Sequence, residues 1–216
     1  MRNLVLIFAS VVFLSACQAS TTRLAVQNQA IAVKPNQATK AIAFEGIAIN
    51  IPRGETIGKV QGGVVCIGKE DLKIKTGRFQ VDDEMFSQVF RDELKTANYK
   101  IIEENDNFFQ AKPNESADYL IAGQITDIEA NICYPNYGFF NLSMSSGSAY
   151  LKVNWQVFDN LNKEVVYNLT TEGSYKTKGA SSGGENIVIE HAFSSAINNL
   201  LADAGFHKLM IIGDEQ

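Results

Sequence analysis

Histidine is nearly absent from this chain: His191 and His207 are the only two among 216 residues. A metal centre needs several nitrogen or sulfur ligands at close spacing. Cys66 and Cys133 stand neither in a C-x-x-C pair nor beside a histidine. His191 sits one position before the apolar pair Ala192 and Phe193, and reads as a helix flank rather than a general base. The nucleophile elbow G-x-S-x-G is missing, and Ser181-Ser182-Gly183-Gly184 reads as a loop. The glycines between positions 58 and 68 lack the G-x-x-x-x-G-K-[ST] spacing of a phosphate loop. Lysine and arginine form no cluster and are outnumbered, 19 against 24 acidic residues, so a nucleic-acid partner is not expected. Beyond the first residues, no apolar run approaches the 18 that mark a membrane helix candidate. No cofactor and no metal are expected.

What is present begins at the N-terminus. Arg2 and Asn3 precede an apolar segment of ten residues, 4–13, interrupted only by Ser10 and too short to span a bilayer core that needs about 20. That is the pattern of a secretory signal, which is set aside from fold reasoning. It closes on Leu14-Ser15-Ala16-Cys17, a sequence that resembles the bacterial lipobox, in which the cysteine is acylated and becomes the first mature residue. Residues 1–16 are therefore read as a lipoprotein signal peptide and Cys17 as the lipidation site. Two or three acyl chains bury far more methylene than the single chain that anchors only marginally. Gln18, not Asp, follows the cysteine, which resembles the sorting pattern of outer-membrane lipoproteins. The expected location is the outer membrane, facing the periplasm, with the lipid as the only membrane attachment.

Residues 18–40 are rich in Gln, Ala, Thr and Asn, and almost without aromatics. Such a stretch buries too little apolar surface to offset its ordering entropy. With Cys17 it is read as a flexible leash over 17–40, a short strand at 31–33 being the competing view. Residues 41–216 fit one domain of ordinary composition. Cys66 and Cys133 survive maturation, and an exported protein with an even count favours a bridge between them. Free buried thiols are the alternative.

The domain has a readable order. Residues 43–51 alternate as a strand, and 57–77 are strand-like with turns at Gly62-Gly63 and Gly68. Residues 82–98 place Met85, Phe86, Val89, Phe90, Leu94 and Ala97 at helical spacing behind Asp82 and Asp83. Residues 99–103 suggest a short strand. Residues 118–132 suggest a long one with Tyr119, Ile121, Gly123 and Ile125 on one face. The clearest alternation is Ala149, Leu151, Val153, Trp155 and Val157, followed by turn residues 159–162. A return strand over 164–172 then points Val165, Tyr167 and Leu169 inward. A second helix spans 186–202 with Ile189, Ala192, Phe193, Ala196, Ile197 and Leu200 on one stripe, and 206–212 adds a strand or short helix. The expectation is an α+β fold with a β-α-β-β-β-α core, two helices packed on one face of a mainly antiparallel sheet.

Two constellations invite a functional reading. Asp127 and Glu129, two apart on one strand face, could imitate a paired-carboxylate site, though a solvated strand face explains them equally. Residues 133–150, CYPNYGFFNLSMSSGSAY, set Tyr134, Tyr137, Phe139 and Phe140 among Pro, Asn, Gly and Ser. Aromatics on such a loop suit a protein-binding surface, and packing beneath the loop is the rival reading.

Leu94, Ala97 and Tyr99, then A-D-Y-L-I-A-G-Q-I from Ala117, V-x-W-x-V-F-D from Val153 and A-F-x-x-A from Ala192 make an ordered series. It resembles the periplasmic domain of outer-membrane lipoproteins of the CsgG, LpoB and TolB N-terminal kind, over about residues 79–202. That resemblance implies a domain that binds envelope proteins or cell-wall machinery and carries no catalytic residue. The expected role is a non-enzymatic binding or assembly factor. A structural subunit of an outer-membrane export complex is the alternative, and an unrecognised hydrolase a further one.

Overall fold

Between Ala149 and Val157 every second side chain is apolar, and in the computed structural model each of these five is fully buried. The structure describes residues 22–74, 83–102, 116–135, 144–182 and 186–213. The alternation builds the central strand β5 (Met144–Asp159) of a seven-stranded sheet. Its partner β6 (Glu164–Lys176) returns antiparallel through a turn in which Asp159 accepts from the backbone N–H groups of Leu161 and Asn162. On the other side lies β4 (Tyr119–Tyr134), antiparallel to β5 over almost its whole length.

One irregularity in β4 matters for everything near its end. The register slips between Ile125 and Asp127, a β-bulge at Thr126. Before it, Tyr119, Ile121 and Ile125 face the core; after it, Ile128, Ala130 and Ile132 do. The odd positions 127, 129, 131 and 133 are thereby turned to the opposite, open face, and Tyr134 is turned inward.

Two strands share the remaining edge of β4 in series. β1 (Ile42–Ile49) runs parallel to residues 119–125, and β2 (Thr56–Gly62) runs parallel to residues 130–134. β3 (Ile67–Lys73) pairs antiparallel with β2, and a two-residue β7 (Ser181–Ser182) pairs with the start of β5. Most of the ladders are antiparallel, as an α+β fold of this order requires.

The other face is covered by helices. α1 (Asp83–Thr96) and α2 (Asn186–Leu201) bury the stripes their spacing suggested, with Phe86, Phe90, Leu94, Ala192, Phe193, Ala196, Ile197 and Leu200 fully inside. A third helix, α3 (Ala204–Met210), is capped by Asp203, whose carboxylate accepts from the Phe206 N–H. Phe90 and Phe193 flank Trp155, with ring centroids 5.8 Å away on either side. The Trp155 indole donates to Thr171 Oγ1 at 2.7 Å, and Thr171 donates in turn to the Ala196 carbonyl at 2.8 Å. A buried polar triad thus joins strand, strand and helix. Gly173 allows the close contact, because a Cβ there would stand 2.0 Å from the Ala192 oxygen.

Three sequence expectations are corrected. Residues 99–102 make a single parallel bridge, Ile101 to Ile42, rather than a strand, and Glu103 lies outside the described residues. Val165 is exposed, because the register slips between Val157 and Phe158 at the far end of the hairpin. The supposed leash is bound over 22–40. Thr22 shares a hydrogen bond with Ser148 and accepts one from Asn131. The Ala25 N–H donates to Ser174, and the Asn28 N–H to Asn199. Ile31 donates to the Leu201 carbonyl, Val33 to the Ala97 carbonyl, and Thr39 bridges to Ile211. The segment starts on the open face, rounds the outer edge of β6 near Ser174, and continues across the C-terminal ends of α2 and α1. Val33, only 3% exposed, is its apolar peg. It is a strap, held mostly by backbone polar groups that find partners in distant parts of the chain.

Candidate functional site

The half of β4 beyond the bulge, with the start of β5, gathers Cys66, Cys133, Tyr134, Asp127 and Glu129, most of the described residues singled out by sequence. Cys66, in the turn between β2 and β3, is joined to Cys133 on β4, with Cα atoms 5.5 Å apart. The disulfide expectation holds. After the bulge Cys133 faces the open side of the sheet, and there it meets the β2–β3 turn, whose Gly63 N–H donates to the Tyr134 carbonyl at 3.0 Å.

Tyr134 is not a partner-facing residue. Its side chain is 7% exposed and belongs to the hydrophobic core, because the bulge at Thr126 reverses the parity that would have sent it outward. Tyr137, Phe139 and Phe140 lie outside the described residues, as does Cys17.

Asp127 and Glu129 do share the open face, and an arginine from the strap joins them. Arg23 Nη2 lies 2.7 Å from Asp127 Oδ2, and its Nε lies 2.7 Å from Glu129 Oε1. The Arg23 backbone N–H also donates to Glu129, and its guanidinium stands 4.2 Å over the Tyr150 ring. One planar fork thus answers two carboxylates and an aromatic face. Each charge stays roughly 34–47% exposed, so each pair is worth little by itself. Their combined effect is to hold the strap against the sheet. Tyr150 beneath them has its hydroxyl pushed up to about 12 by burial and by its bond to Glu172.

Beside this cluster a cleft of about 220 Å³ opens among Asn50, Pro52, Glu55, Thr126, Asp127 and Glu129. It lies where β1 has ended and β2 has not yet begun along the edge of β4. The two acids on its β4 side are those that Arg23 engages.

The histidines are apart from this region. His191 is exposed on α2 with its ring 4.4 Å from that of Tyr175. His207 Nδ1 bonds the Tyr99 hydroxyl at 2.8 Å, and burial raises the Tyr99 pKa. Among the described residues no three His, Cys, Asp or Glu side chains form a metal-holding group. No described helix is long and apolar enough to cross a membrane.

Two features escaped the sequence reading. Arg23 left no local signal, since its partners lie more than a hundred positions away. The β2–β3 turn did leave one: Val64 and Val65 stand where turn chemistry favours polar residues, and with Ile67, the first residue of β3, they are 89%, 75% and 64% exposed.

No family model matches the chain, and neither does any curated protein sequence. Solved structures are similar in part. A protein of Xanthomonas campestris assigned to the family DUF330 has 13% identity over 87% of this chain and 95% of its own, with a TM-score of 0.40. The PelC dodecamer of Paraburkholderia phytofirmans has 12% identity over 83% of this chain and 97% of its own, at 0.39. A minor lipoprotein of Acinetobacter baumannii has 6% identity over 80% and 97%, at 0.35.

Proposed function

We propose that this protein is a lipid-anchored lipoprotein of the outer membrane, whose periplasmic domain binds envelope proteins or cell-wall machinery as an assembly factor, without catalysis of its own. The observation that carries this reading is the lipobox, residues 14–17, placed five residues ahead of a strap that is bonded to the domain. A chain built this way delivers a recognition surface to a membrane. The Cys66–Cys133 bridge suits an oxidising compartment. The carboxylate pair that most resembled an acid–base couple is taken up by Arg23. The family likeness to CsgG, LpoB and TolB N-terminal domains supports the same role as an expectation from sequence.

The test is crosslinking in intact cells, followed by membrane fractionation, affinity purification and mass spectrometry. Acylated Cys17 in the outer-membrane fraction, with reproducible crosslinks from the domain to the same envelope proteins, is the expected result. Turnover of an envelope substrate by the purified protein alone, lost on changing Asp127 or Glu129, would replace this reading with an enzymatic one.

A further inference from the structure

The turn between β2 and β3 is an unusual place for aliphatic side chains. Val64 and Val65 project from it at 89% and 75% exposure, and Ile67, the first residue of β3, follows at 64%. A flexible loop could fold such residues away. This one is pinned: Cys66 is bonded to Cys133, its N–H donates to the Gly63 carbonyl, and Gly63 itself donates to Tyr134. The apolar tip is held out rigidly, so little conformational entropy remains to be lost when something covers it.

What covers it follows from where the chain leaves the fold. Thr22, the first described residue, is bonded to Asn131 and Ser148. Asn131 lies two residues before Cys133 on β4, about 7 Å along the strand. Cys133 lies 5.5 Å from Cys66, Cα to Cα. The exit of the strap and the apolar tip therefore occupy the same end of the sheet. Five peptide steps separate Thr22 from Cys17, a reach of at most about 18 Å at full extension. An acyl chain on Cys17 must bring the bilayer that close to Thr22, and the tip stands beside it. The turn at residues 159–163, which exposes Leu161 by 88%, lies at the other end of β5.

We infer that Val64, Val65 and Ile67 form a second membrane contact, an aliphatic tip seated at the headgroup–acyl boundary of the bilayer that holds the anchor. This rests on the reading of Cys17 as the acylated residue. Anchor and tip together fix which end of the domain faces the lipid, leaving the 159–163 turn pointing away. A single anchor would leave the domain free to rotate; two contacts at one end do not.

The experiment uses the acylated protein reconstituted into vesicles of phosphatidylethanolamine and phosphatidylglycerol, with or without brominated acyl chains. Trp155, fully buried in the core, gives a constant background. Val65→Trp places a reporter at the tip and Leu161→Trp one at the far end. The expected result is blue-shifted emission with a several-fold drop in brominated vesicles for V65W, and neither change for L161W. Equal emission of V65W in both vesicle types overturns the inference, and so does equal quenching at the two positions. A blue shift without bromine quenching, growing with protein density, identifies a protein contact and also overturns it. Flotation and the mass of the N-terminal peptide are read first. Protein without acyl mass that stays out of vesicles removes the anchor and the tip proposal together, whereas floated, unquenched protein removes the tip alone.

Discussion

Removing the Cys66–Cys133 bond by C66A/C133A tests how much of the fold depends on one covalent closure. Alanine is the better replacement, because Cys133 is 5% exposed and serine would bury a hydroxyl there. The bond closes a loop of 67 residues. In the chain-entropy model, a loop of that size stabilises the folded state by about 4.4 kcal/mol at 25 °C. For a chain of this length each kcal/mol moves the midpoint by about 2–4 °C, so the double variant should melt roughly 9–18 °C lower. The loss should be global in the melt and local in the native state. The core residues of this sheet half, Ile57, Leu72, Ile74, Ile128 and Ile132, should stay packed without it, and the β2–β4 ladder should keep its register. Scanning calorimetry of oxidised wild type, reduced wild type and the double variant measures the first effect. Hydrogen exchange at the amides of the β2–β3 turn measures the second. Reduced wild type and C66A/C133A should coincide. A midpoint within about 2 °C of oxidised wild type in both would mean that the unfolded chain is already constrained near these positions, and the loop-entropy argument would fail.

Two further outcomes test the interior. Thr171→Val keeps the shape but leaves the Trp155 indole N–H without its acceptor in a fully buried site; this should cost about 1–3 kcal/mol, read as a lower urea midpoint at unchanged slope, with Thr171→Ser restoring most of it. No loss in T171V would show that the indole finds another partner. At α3, the Tyr167 hydroxyl, 2.5 Å away, and the Phe206 N–H hold the Asp203 carboxyl below its ordinary range. Its ionised form is bound more favourably in the fold than in the unfolded chain, so this stability is present above about pH 4 and fades as pH falls through the lowered value. Asp203→Asn keeps the cap and should flatten that acid limb, whereas Asp203→Ala should cost about 1 kcal/mol at neutral pH; parallel acid limbs in wild type and D203N would refute the assignment.

The legible parts of this fold are those written in short periods. The five alternating residues from Ala149 to Val157 and the stripes of α1 and α2 declare their faces without any knowledge of partners, and all but the half-buried Met85 are buried as expected. The disulfide was legible by count and compartment. Tyr134 was misread because a single inserted residue at Thr126 reverses the parity of β4, and no local signal marks the insertion. The strap was misread for a different reason. Composition registers apolar burial, and this segment is held instead by hydrogen bonds to Ser148, Ser174, Asn199 and Leu201, none of which a local window contains. Tyr137, Phe139 and Phe140 lie outside the described residues, so the aromatic loop keeps both of its readings.

The strap also imposes an order in time. It is among the first parts of the chain to be synthesised, yet its contacts at Ser148, Ser174 and Asn199 lie 126, 149 and 171 positions downstream. It cannot dock until nearly the whole domain has been made. Before that moment the stretch from Cys17 to Lys40 is unengaged, with a contour of up to about 80 Å. Completion of α2 and α3 supplies the last of the partners on which the strap docks. Docking of the strap is thereby tied to completion of the domain, because its partners on α2 are among the last parts of the fold to be made.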